Sequence, residues 1–336
     1  MTCGGNKFSV IDLSGPRASV VSLVRSAALD LGFFQVKFAS TEKASALAAA
    51  KEFFSLPQKA KEGARLVPGW NGELMRGYAS LGSEAADVAN HSLAGGEEVL
   101  PDLMESYQVA DPEYMDDGQF PTEGMKRAMP GLFDEMKGLG LEILSLLDEG
   151  LPKSGEGKFV DNHKGRSRTI VRCTKYPALE DCGGLVSAER LKSGKGVSRI
   201  SAHRDLGTLT LLMQDQQGGL EVQDPETGEW FPVPPVEGAV VVNVGNLMTR
   251  WTNGVYKSSI HRVVANPGGG HLTEDRWSVI MFISPDDDFT VSPLECCAGE
   301  GEVRVAVNVG KYMNCKMRQL FDPEAREDKG KCKYDN

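Results

Sequence analysis

The sequence lacks several features that mark particular classes of protein. No apolar run reaches the roughly 20 residues that a membrane-spanning helix needs. Residues 1–8 hold one lysine with no apolar stretch behind it, so we expect no signal peptide. Basic residues are in the minority, with 37 Lys and Arg against 47 Asp and Glu and a formal net charge of −10. This balance argues against nucleic-acid binding and against attachment to an anionic membrane, because both need a basic surface.

Cysteines are present, but not in a pattern that binds zinc or builds a disulfide framework. There are seven, an odd number, and no two are spaced as C-x-x-C. They are Cys3, Cys173, Cys182, Cys296, Cys297, Cys315 and Cys332. We therefore expect neither structural zinc nor a set of disulfides, and reduced thiols in a cytoplasmic protein fit the pattern.

The character of the chain changes near residue 165. Before that point apolar residues recur at helical spacing, and after it β-branched runs alternate with turn residues. Helices are predicted at 18–31, 41–56, 122–147 and 311–321. We expect one integrated domain with three parts: a mainly helical N-terminal region at 1–164, a β core at 165–310, and a C-terminal helix and tail at 311–336.

Short strands follow one another closely in the second half of the chain. They are predicted at 169–171, 208–213, 220–222, 230–233, 239–244, 260–264 and 277–283. No helical pattern separates them, which is typical of an antiparallel sandwich or barrel. The sequence therefore predicts an all-β core with flanking α-helices.

One pair of predicted strands carries residues that bind metals. His203-Arg204-Asp205 stands directly before the strand at 208–213, and on an extended chain residues i and i+2 project to the same face. His261 lies on another predicted strand, where it can supply a third ligand. Two imidazoles and one carboxylate form the facial triad that suits iron(II) with open positions for co-substrate and O₂. Taken alone, H-x-D is equally typical of a histidine that is simply hydrogen-bonded.

A second pair of polar residues shares a strand face nearby. Arg276 and Ser278 flank Trp277, so both project to one side of the strand at 277–283. A guanidinium holds a carboxylate through two parallel hydrogen bonds, and a hydroxyl adds a third. The alternative is a surface ion pair between Arg276 and a neighbouring acid, Glu274 or Asp275.

These motifs stand in an order that resembles a known family. The chain is similar to the isopenicillin N synthase-like branch of the iron(II)/2-oxoglutarate oxygenases over nearly its whole length. The resemblance is carried by Val10-Ile11-Asp12-Leu13, Leu31-Gly32-Phe33-Phe34-Gln35-Val36, Phe53-Phe54-Ser55-Leu56-Pro57, Gly218-Gly219, Val242-Asn243-Val244-Gly245-Asn246, Ser259-Ile260-His261-Arg262-Val263 and the H-x-D and R-x-S motifs. It implies a double-stranded β-helix (jelly roll) and a catalytic role.

The resemblance also implies roles for particular residues. It places iron(II) at His203, Asp205 and His261, and 2-oxoglutarate, as co-substrate with O₂, at Arg276 and Ser278 with help from Tyr176. The family often shows Asn-Tyr-Tyr-Pro where this chain has Thr174-Lys175-Tyr176-Pro177, and a small polar residue where it has Arg204. Tyr176 and Pro177 match the motif and Thr174 and Lys175 depart from it, so we expect the tyrosine contact to be kept.

Substrate and partners are predicted more coarsely. Phe282 is expected beside the substrate, and Lys175, Arg204 and Arg172 are candidate cations for a small, acidic metabolite; solvated surface charge is the alternative for these three. The reaction is expected to be hydroxylation, desaturation or ring closure. We expect a monomer with no nucleic-acid or membrane partner. Other possibilities are an oxidase of the same fold that needs no 2-oxoglutarate, a zinc hydrolase, and a non-catalytic metal-binding jelly roll.

Overall fold

The computed structural model describes residues 8–69, 73–84, 101–153, 156–187, 197–265, 270–297, 304–321 and 332. The α-helices are α1 Arg17–Asp30, α2 Lys43–Phe54, α3 Gln58–Glu62, α4 Glu123–Glu149, α5 Asn246–Trp251 and α6 Val309–Phe321. Short 3₁₀ turns lie at Pro112–Tyr114, Asp117–Gln119, Val160–His163, Leu179–Leu185, Gly270–Leu272 and Glu295–Cys297. No helix in these ranges is both long and apolar enough to span a membrane.

The strands form two larger sheets and one small one. They are β1 Val10–Ile11, β2 Phe33–Lys37, β3 Gly77–Ala79, β4 Glu105–Ala110, β5 Ile170–Tyr176, β6 Val197–His203, β7 Leu209–Gln214, β8 Leu220–Gln223, β9 Trp230–Pro232, β10 Ala239–Val244, β11 His261–Ala265, β12 Arg276–Ile283, β13 Thr290–Val291 and β14 Val307–Asn308. The major sheet has the order β1-β2-β10-β7-β12-β5-β4-β3, and the minor sheet has the order β6-β11-β8-β9. Strands β13 and β14 pair separately.

The two larger sheets pack face to face. Side chains from the inner face of the major sheet, such as Leu212 and Ile280, share one buried cluster with Ile200, Val222 and Val263 from the minor sheet. Alternation along each strand sends one set of side chains into this layer and the other set outward. The arrangement confirms the predicted jelly roll with an all-β core.

The outer face of the major sheet is covered by the long helix α4. The hydroxyl oxygen of Thr122 accepts a hydrogen bond from the backbone N–H of Met125 and so caps the start of the helix. Beyond it, a stripe of buried apolar side chains that includes Met129, Met136 and Ile143 packs on the sheet with α1 and α2. Burial of this stripe, rather than helix propensity, is what stabilises the helix here.

The structure bears on three further expectations. Each strand predicted in the second half of the chain is present, with bounds shifted by a few residues. The division at residue 164 stays a prediction, but β1 to β4 belong to the same sheet as the later strands, so the sheet crosses that boundary. The absence of disulfides was predicted wrongly, since Cys315 of α6 is bonded to Cys332.

Candidate functional site

The backbone brings the two predicted histidine ligands directly opposite each other. Strands β6 and β11 are antiparallel neighbours, and His261 is the register partner of His203. Strand β6 ends at His203, so Asp205 lies in the turn that follows. This turn packs tightly against Gly245, where an added Cβ would lie 2.3 Å from the carbonyl oxygen of Gly207. Only glycine fits at that close approach.

The three side chains converge on one point. Asp205 Oδ1 lies 3.6 Å from His203 Nε2, and Asp205 Oδ2 lies 3.7 Å from His261 Nε2. One ligand atom from each residue falls within 4.8 Å of the others, and the described residues hold no second cluster of three such side chains. The structure therefore brings together the triad that the sequence predicts.

Hydrogen bonds orient each member of this triad. His203 Nδ1 lies 2.8 Å from the carbonyl oxygen of Ser201, and His261 Nδ1 lies 3.3 Å from that of Ser259. A carbonyl only accepts, so each Nδ1 carries a proton, and in the neutral imidazole Nε2 then turns a lone pair toward Asp205. Lone pairs facing a carboxylate without a proton between them favour a bound cation, and an N,N,O donor set suits iron(II).

Two polar side chains of the major sheet hold the carboxylate. Asp205 Oδ2 accepts hydrogen bonds from Thr210 Oγ1 at 2.6 Å and from Asn243 Nδ2 at 2.7 Å. Burial alone would raise the pKa of Asp205, but His261, His203 and these two donors outweigh it and lower the pKa. The sequence reasoning missed both supporting residues. Asn243 could have been found as the one polar side chain within an apolar strand.

Burial also keeps His203 in the form that binds metals. It is the main cause that lowers the pKa of His203 to about 4, and the neighbouring His261 lowers it further. A neutral imidazole is the form that offers a lone pair to a metal. The ring of Phe33 stands edge-on to that of His261, with centroids 5.2 Å apart, and so fixes its orientation.

Arg276 is buried on the inner face of the major sheet with part of its hydrogen-bonding capacity unused. Its Nε donates to the carbonyl oxygen of Gly218 at 2.7 Å, and its Nη2 donates to Gln214 Oε1 at 3.1 Å. Among the described residues, Arg276 Nη1 and Ser278 Oγ are buried without a partner. Buried orphan donors on one strand face fit a missing anion such as a carboxylate.

The surface ion pair considered for Arg276 does not form. Arg276 is fully buried. Glu274 accepts from Gln217 instead. Asp275 accepts from the backbone N–H of Ala178 and lies 3.6 Å from Lys175 Nζ. The geometry therefore favours the carboxylate-binding interpretation of Arg276 over the surface one.

The triad and Arg276 face the same cavity. Its wall includes the three triad residues together with Arg276 and Tyr176, which is the register partner of Arg276 on β5. The cavity holds about 940 Å³ of space not filled by atoms, including its open mouth. Because the triad and Arg276 line one continuous space, a single bound molecule can reach both.

The candidate substrate residues are placed differently from one another. Phe282 and Arg204 border the cavity, and Arg204 Nε donates to the carbonyl oxygen of Ser258 at 2.6 Å. Lys175 borders neither this cavity nor the one beside it. It projects from the opposite face of β5 and lies 3.5 Å from Glu105 Oε1. Its position next to Tyr176 in sequence therefore does not bring it to the substrate.

Comparison with known proteins agrees with this geometry. The family model described as the 2OG-Fe(II) oxygenase superfamily matches residues 171–285, and one described as the non-haem dioxygenase in morphine synthesis N-terminal matches residues 8–127. The chain is 34% identical over 315 residues to the 2-oxoglutarate-dependent dioxygenase citB of Monascus ruber, covering 88% of this chain and 87% of that one. It is 31% identical over 299 residues to the clavatol oxidase claD of Penicillium crustosum, covering 82% of each.

A solved structure shows the same likeness. The crystal structure of a full-length Neurospora crassa protein in complex with alpha-KG (2-oxoglutarate) has a TM-score of 0.73 and 27% identity, and the match covers 92% of this chain and 95% of that one. The chain therefore belongs to the 2-oxoglutarate–iron(II) oxygenase superfamily. It is a 2-oxoglutarate-dependent dioxygenase that uses Fe(II), 2-oxoglutarate and O₂. The non-catalytic jelly roll and the zinc hydrolase are accordingly set aside.

Proposed function

We propose that His203, Asp205 and His261 hold the iron(II) of this enzyme. The observation that carries the proposal is the convergence of two proton-free Nε2 atoms and a carboxylate at one buried point. Three protein ligands leave further positions for a co-substrate and O₂, as a facial triad requires. Thr210 and Asn243 keep Asp205 charged and oriented toward the metal.

We further propose that Arg276, Ser278 and Tyr176 bind 2-oxoglutarate. The unpartnered Nη1 of Arg276 and Oγ of Ser278 offer a charged donor and a neutral donor to its far carboxylate. The guanidinium carbon of Arg276 lies 4.6 Å from the centre of the Tyr176 ring, which holds the planar group flat. The co-substrate would then extend from Arg276 toward the triad along the shared cavity.

The chain's own residues position and shield the reaction. When bound, iron(II) supplies the activation of O₂ that couples decarboxylation of 2-oxoglutarate, to succinate and CO₂, with oxidation of a substrate C–H bond. Apolar side chains such as Phe33, Leu212 and Ile280 line the site and exclude water. Phe282 borders the same space and fixes how the substrate approaches the metal.

The reaction we propose is oxidation of a small specialised metabolite by hydroxylation, desaturation or oxidative ring closure. The enzymes named in the comparison, a dioxygenase and a clavatol oxidase from fungi, support an oxidation of a small organic molecule. We also propose that the chain acts as a cytoplasmic monomer without a nucleic-acid partner. Sedimentation at micromolar concentration tests the oligomeric state, and a stable dimer would contradict it.

Direct binding of 2-oxoglutarate tests the co-substrate assignment. With iron(II) present and oxygen excluded, Arg276→Ala should raise the dissociation constant for 2-oxoglutarate by more than about tenfold, because removing one partner of a buried charged pair costs about 2–5 kcal/mol. Ser278→Ala should raise it less, since a neutral hydrogen bond contributes about 0.5–1.5 kcal/mol. Arg276→Lys should recover part of the loss, because an ammonium group cannot present two parallel donors.

Iron content is the control for damage to the metal site in these variants. Iron content should stay near the wild-type value in all three variants, because none of the changed groups is proposed as a ligand. An unchanged dissociation constant in Arg276→Ala would remove the arginine from the co-substrate site.

A further inference from the structure

A second cavity lies beside the one that holds the triad. Leu206, Phe282, Leu320 and Phe321 border both cavities, together with Arg172. Leu206 directly follows Asp205 in the chain, so the shared wall stands next to the proposed metal site. The second cavity is therefore adjacent to the triad, within the reach of a substrate whose reacting carbon lies at the metal site.

The second cavity is apolar and rich in thioethers. Met75, Met313, Met317 and Ile170 line it in addition to the shared side chains, and no carboxylate is among its described lining residues. Methionine side chains adapt to irregular shapes and make favourable sulfur–aromatic contacts. Phe282 and Phe321 add two rings for stacking. These groups fit a flat, apolar body better than a charged one.

Arg168, which also lines this cavity, offers no free charge to a ligand. Its Nε donates to both carboxylate oxygens of Asp287, at 2.9 and 3.0 Å. Its Nη1 donates to the carbonyl oxygen of Glu73 at 2.8 Å, and its Nη2 donates to Asn314 Oδ1 at 3.0 Å. Asp287 neutralises the guanidinium, and each of its three nitrogens already donates a hydrogen bond, so it fixes the cavity wall and does not recruit an anion.

Arg172 at the shared wall is also paired. Its Nη2 lies 3.1 Å from Glu84 Oε2, and its guanidinium carbon lies 5.1 Å from the centre of the Phe282 ring. Glu84 and Asp102 both border the first cavity. A carboxylate placed there would meet two acids and a cation that already has a partner. The buried Nε of Arg172, which has no partner among the described residues, still offers one donor to a neutral oxygen.

We propose that the substrate is a neutral, largely apolar ring compound with at least one hydroxyl or carbonyl group. This rests on the proposed function. The ring body lies among the methionines of the second cavity, and the polar group faces Arg172 and Glu84. The buried hydroxyl of Ser284, which lines the second cavity and has no partner among the described residues, accommodates a further neutral oxygen. Because Arg168 and Arg172 are already paired with acids, the lining shared with the second cavity favours a phenol-like metabolite over an acidic one.

Matched pairs of probe compounds test this inference. Naphthol and hydroxynaphthoate, and propylphenol and hydroxyphenylpropanoate, differ chiefly in a carboxylate. Binding is measured by calorimetry on the enzyme loaded with iron(II) and 2-oxoglutarate under nitrogen. The neutral member of each pair should bind at least about tenfold more tightly, because burying an unpaired carboxylate in an apolar site is costly. Tighter binding of the anions, or no binding by either neutral compound, would overturn the proposal.

Two variants locate the bound probe and test the role of Glu84. Met317→Trp should fill the second cavity and abolish binding of the neutral probes, whereas Met317→Leu should retain it. Glu84→Gln should release Arg172 from its ion pair and so reduce the preference for neutral probes. This test remains valid even if Met317→Trp does not fold. Unchanged preference in Glu84→Gln would contradict the proposal. Binding of 2-oxoglutarate is measured in parallel. A wild-type enzyme that does not bind 2-oxoglutarate would refute the proposed function instead.

Discussion

Arg199 and Arg276 both face the ring of Tyr176 in the interior of the protein. Their guanidinium carbons lie 5.9 and 4.6 Å from the ring centre, and both side chains are fully buried. No acidic side chain among the described residues forms a salt bridge with either arginine. Burial, and next the charge of Arg276, lower the pKa of Arg199 to about 10. Two buried cations side by side favour the binding of an anion between the sheets.

This relationship predicts that Arg199 strengthens binding of 2-oxoglutarate without contacting it. Arg199→Gln should raise the dissociation constant about fivefold, since one charge near the site contributes about 1 kcal/mol. Arg199→Lys keeps the charge and should recover most of the affinity. The turnover number at saturating 2-oxoglutarate should change little. Equilibrium dialysis without oxygen gives the affinities.

A matched control separates this electrostatic effect from general damage. Arg250 is another buried arginine, and its Nη1 donates to the carbonyl oxygen of Val305 at 2.7 Å. Arg250→Gln should leave the affinity for 2-oxoglutarate unchanged. If Arg199→Lys bound 2-oxoglutarate as weakly as Arg199→Gln, the three backbone carbonyls that Arg199 holds would explain the effect, and its charge would not.

We predict that Gly→Ala substitutions at two positions of α4 have opposite effects on the free energy of unfolding. An added Cβ at Gly140 would lie 2.2 Å from Ile283 Cδ1 on β12, whereas one at Gly138 would meet nothing within 4 Å. Gly140→Ala should lower the free energy of unfolding by about 1 kcal/mol, because overpacking typically costs about 1–3 kcal/mol and outweighs the gain in helix propensity. Gly138→Ala should raise it by about 0.5–1 kcal/mol. Urea unfolding measures both, and equal effects would contradict the packing described between α4 and β12.

His163 predicts a dependence of stability on pH. Its Nδ1 donates to the carbonyl oxygen of Phe159 at 2.6 Å, and its Nε2 lies 2.8 Å from Thr208 Oγ1. Burial lowers the pKa of His163 from 6.5 to about 4. Between pH 6.5 and about 4, the unfolded chain therefore binds a proton on this histidine that the folded protein does not bind. The resulting stability is present above pH 6.5 and is lost as the pH falls toward 4.

The variant His163→Gln isolates this contribution. Between about pH 7 and about pH 5, the wild-type protein should lose about 1–2 kcal/mol more of its free energy of unfolding than His163→Gln does. Urea unfolding at each pH gives both values. An identical loss in the two proteins would show that His163 titrates normally in the folded state. His163 lies outside the triad, so the measurement does not depend on bound metal.

Much of the fold was predictable because strands alternate and helices repeat. The apolar run at 239–244 and the alternating Thr and Leu residues at 208–213 mark β10 and β7 correctly. Strand β6 was not predicted. Its segment, which includes Val197, Ile200 and His203, mixes apolar and polar residues. Its signal is weak because a fully buried Arg199 occupies its centre, where propensity alone does not expect a charge.

The site was predictable in its ligands but not in its surroundings. Strand alternation predicted that His203 and Asp205 project to the same face. The same rule predicts that Lys175 and Tyr176, which are adjacent in the chain, project from opposite faces of their strand. Tyr176 packs in the inner layer, while Lys175 pairs with Glu105 on the other side of the sheet. The bond between Cys315 and Cys332 depends on tertiary packing, which local patterns do not encode.

The proposed iron ligands give the last prediction. His203→Ala, Asp205→Ala and His261→Ala should each lose most of their iron(II), because three ligands leave no redundancy. Asn243→Ala should keep the ligands but weaken metal affinity about 10–100-fold, since it removes a hydrogen bond that orients Asp205.

The control is His271→Ala: His271 is also buried, but its Nε2 lies 2.9 Å from the carbonyl oxygen of Gln217 and it is not part of the cluster. Iron per chain after anaerobic loading and desalting is the measurement. Near-normal iron in any triad variant would remove that residue from the site, and loss of iron in His271→Ala would move the third ligand from β11 to the segment that precedes β12.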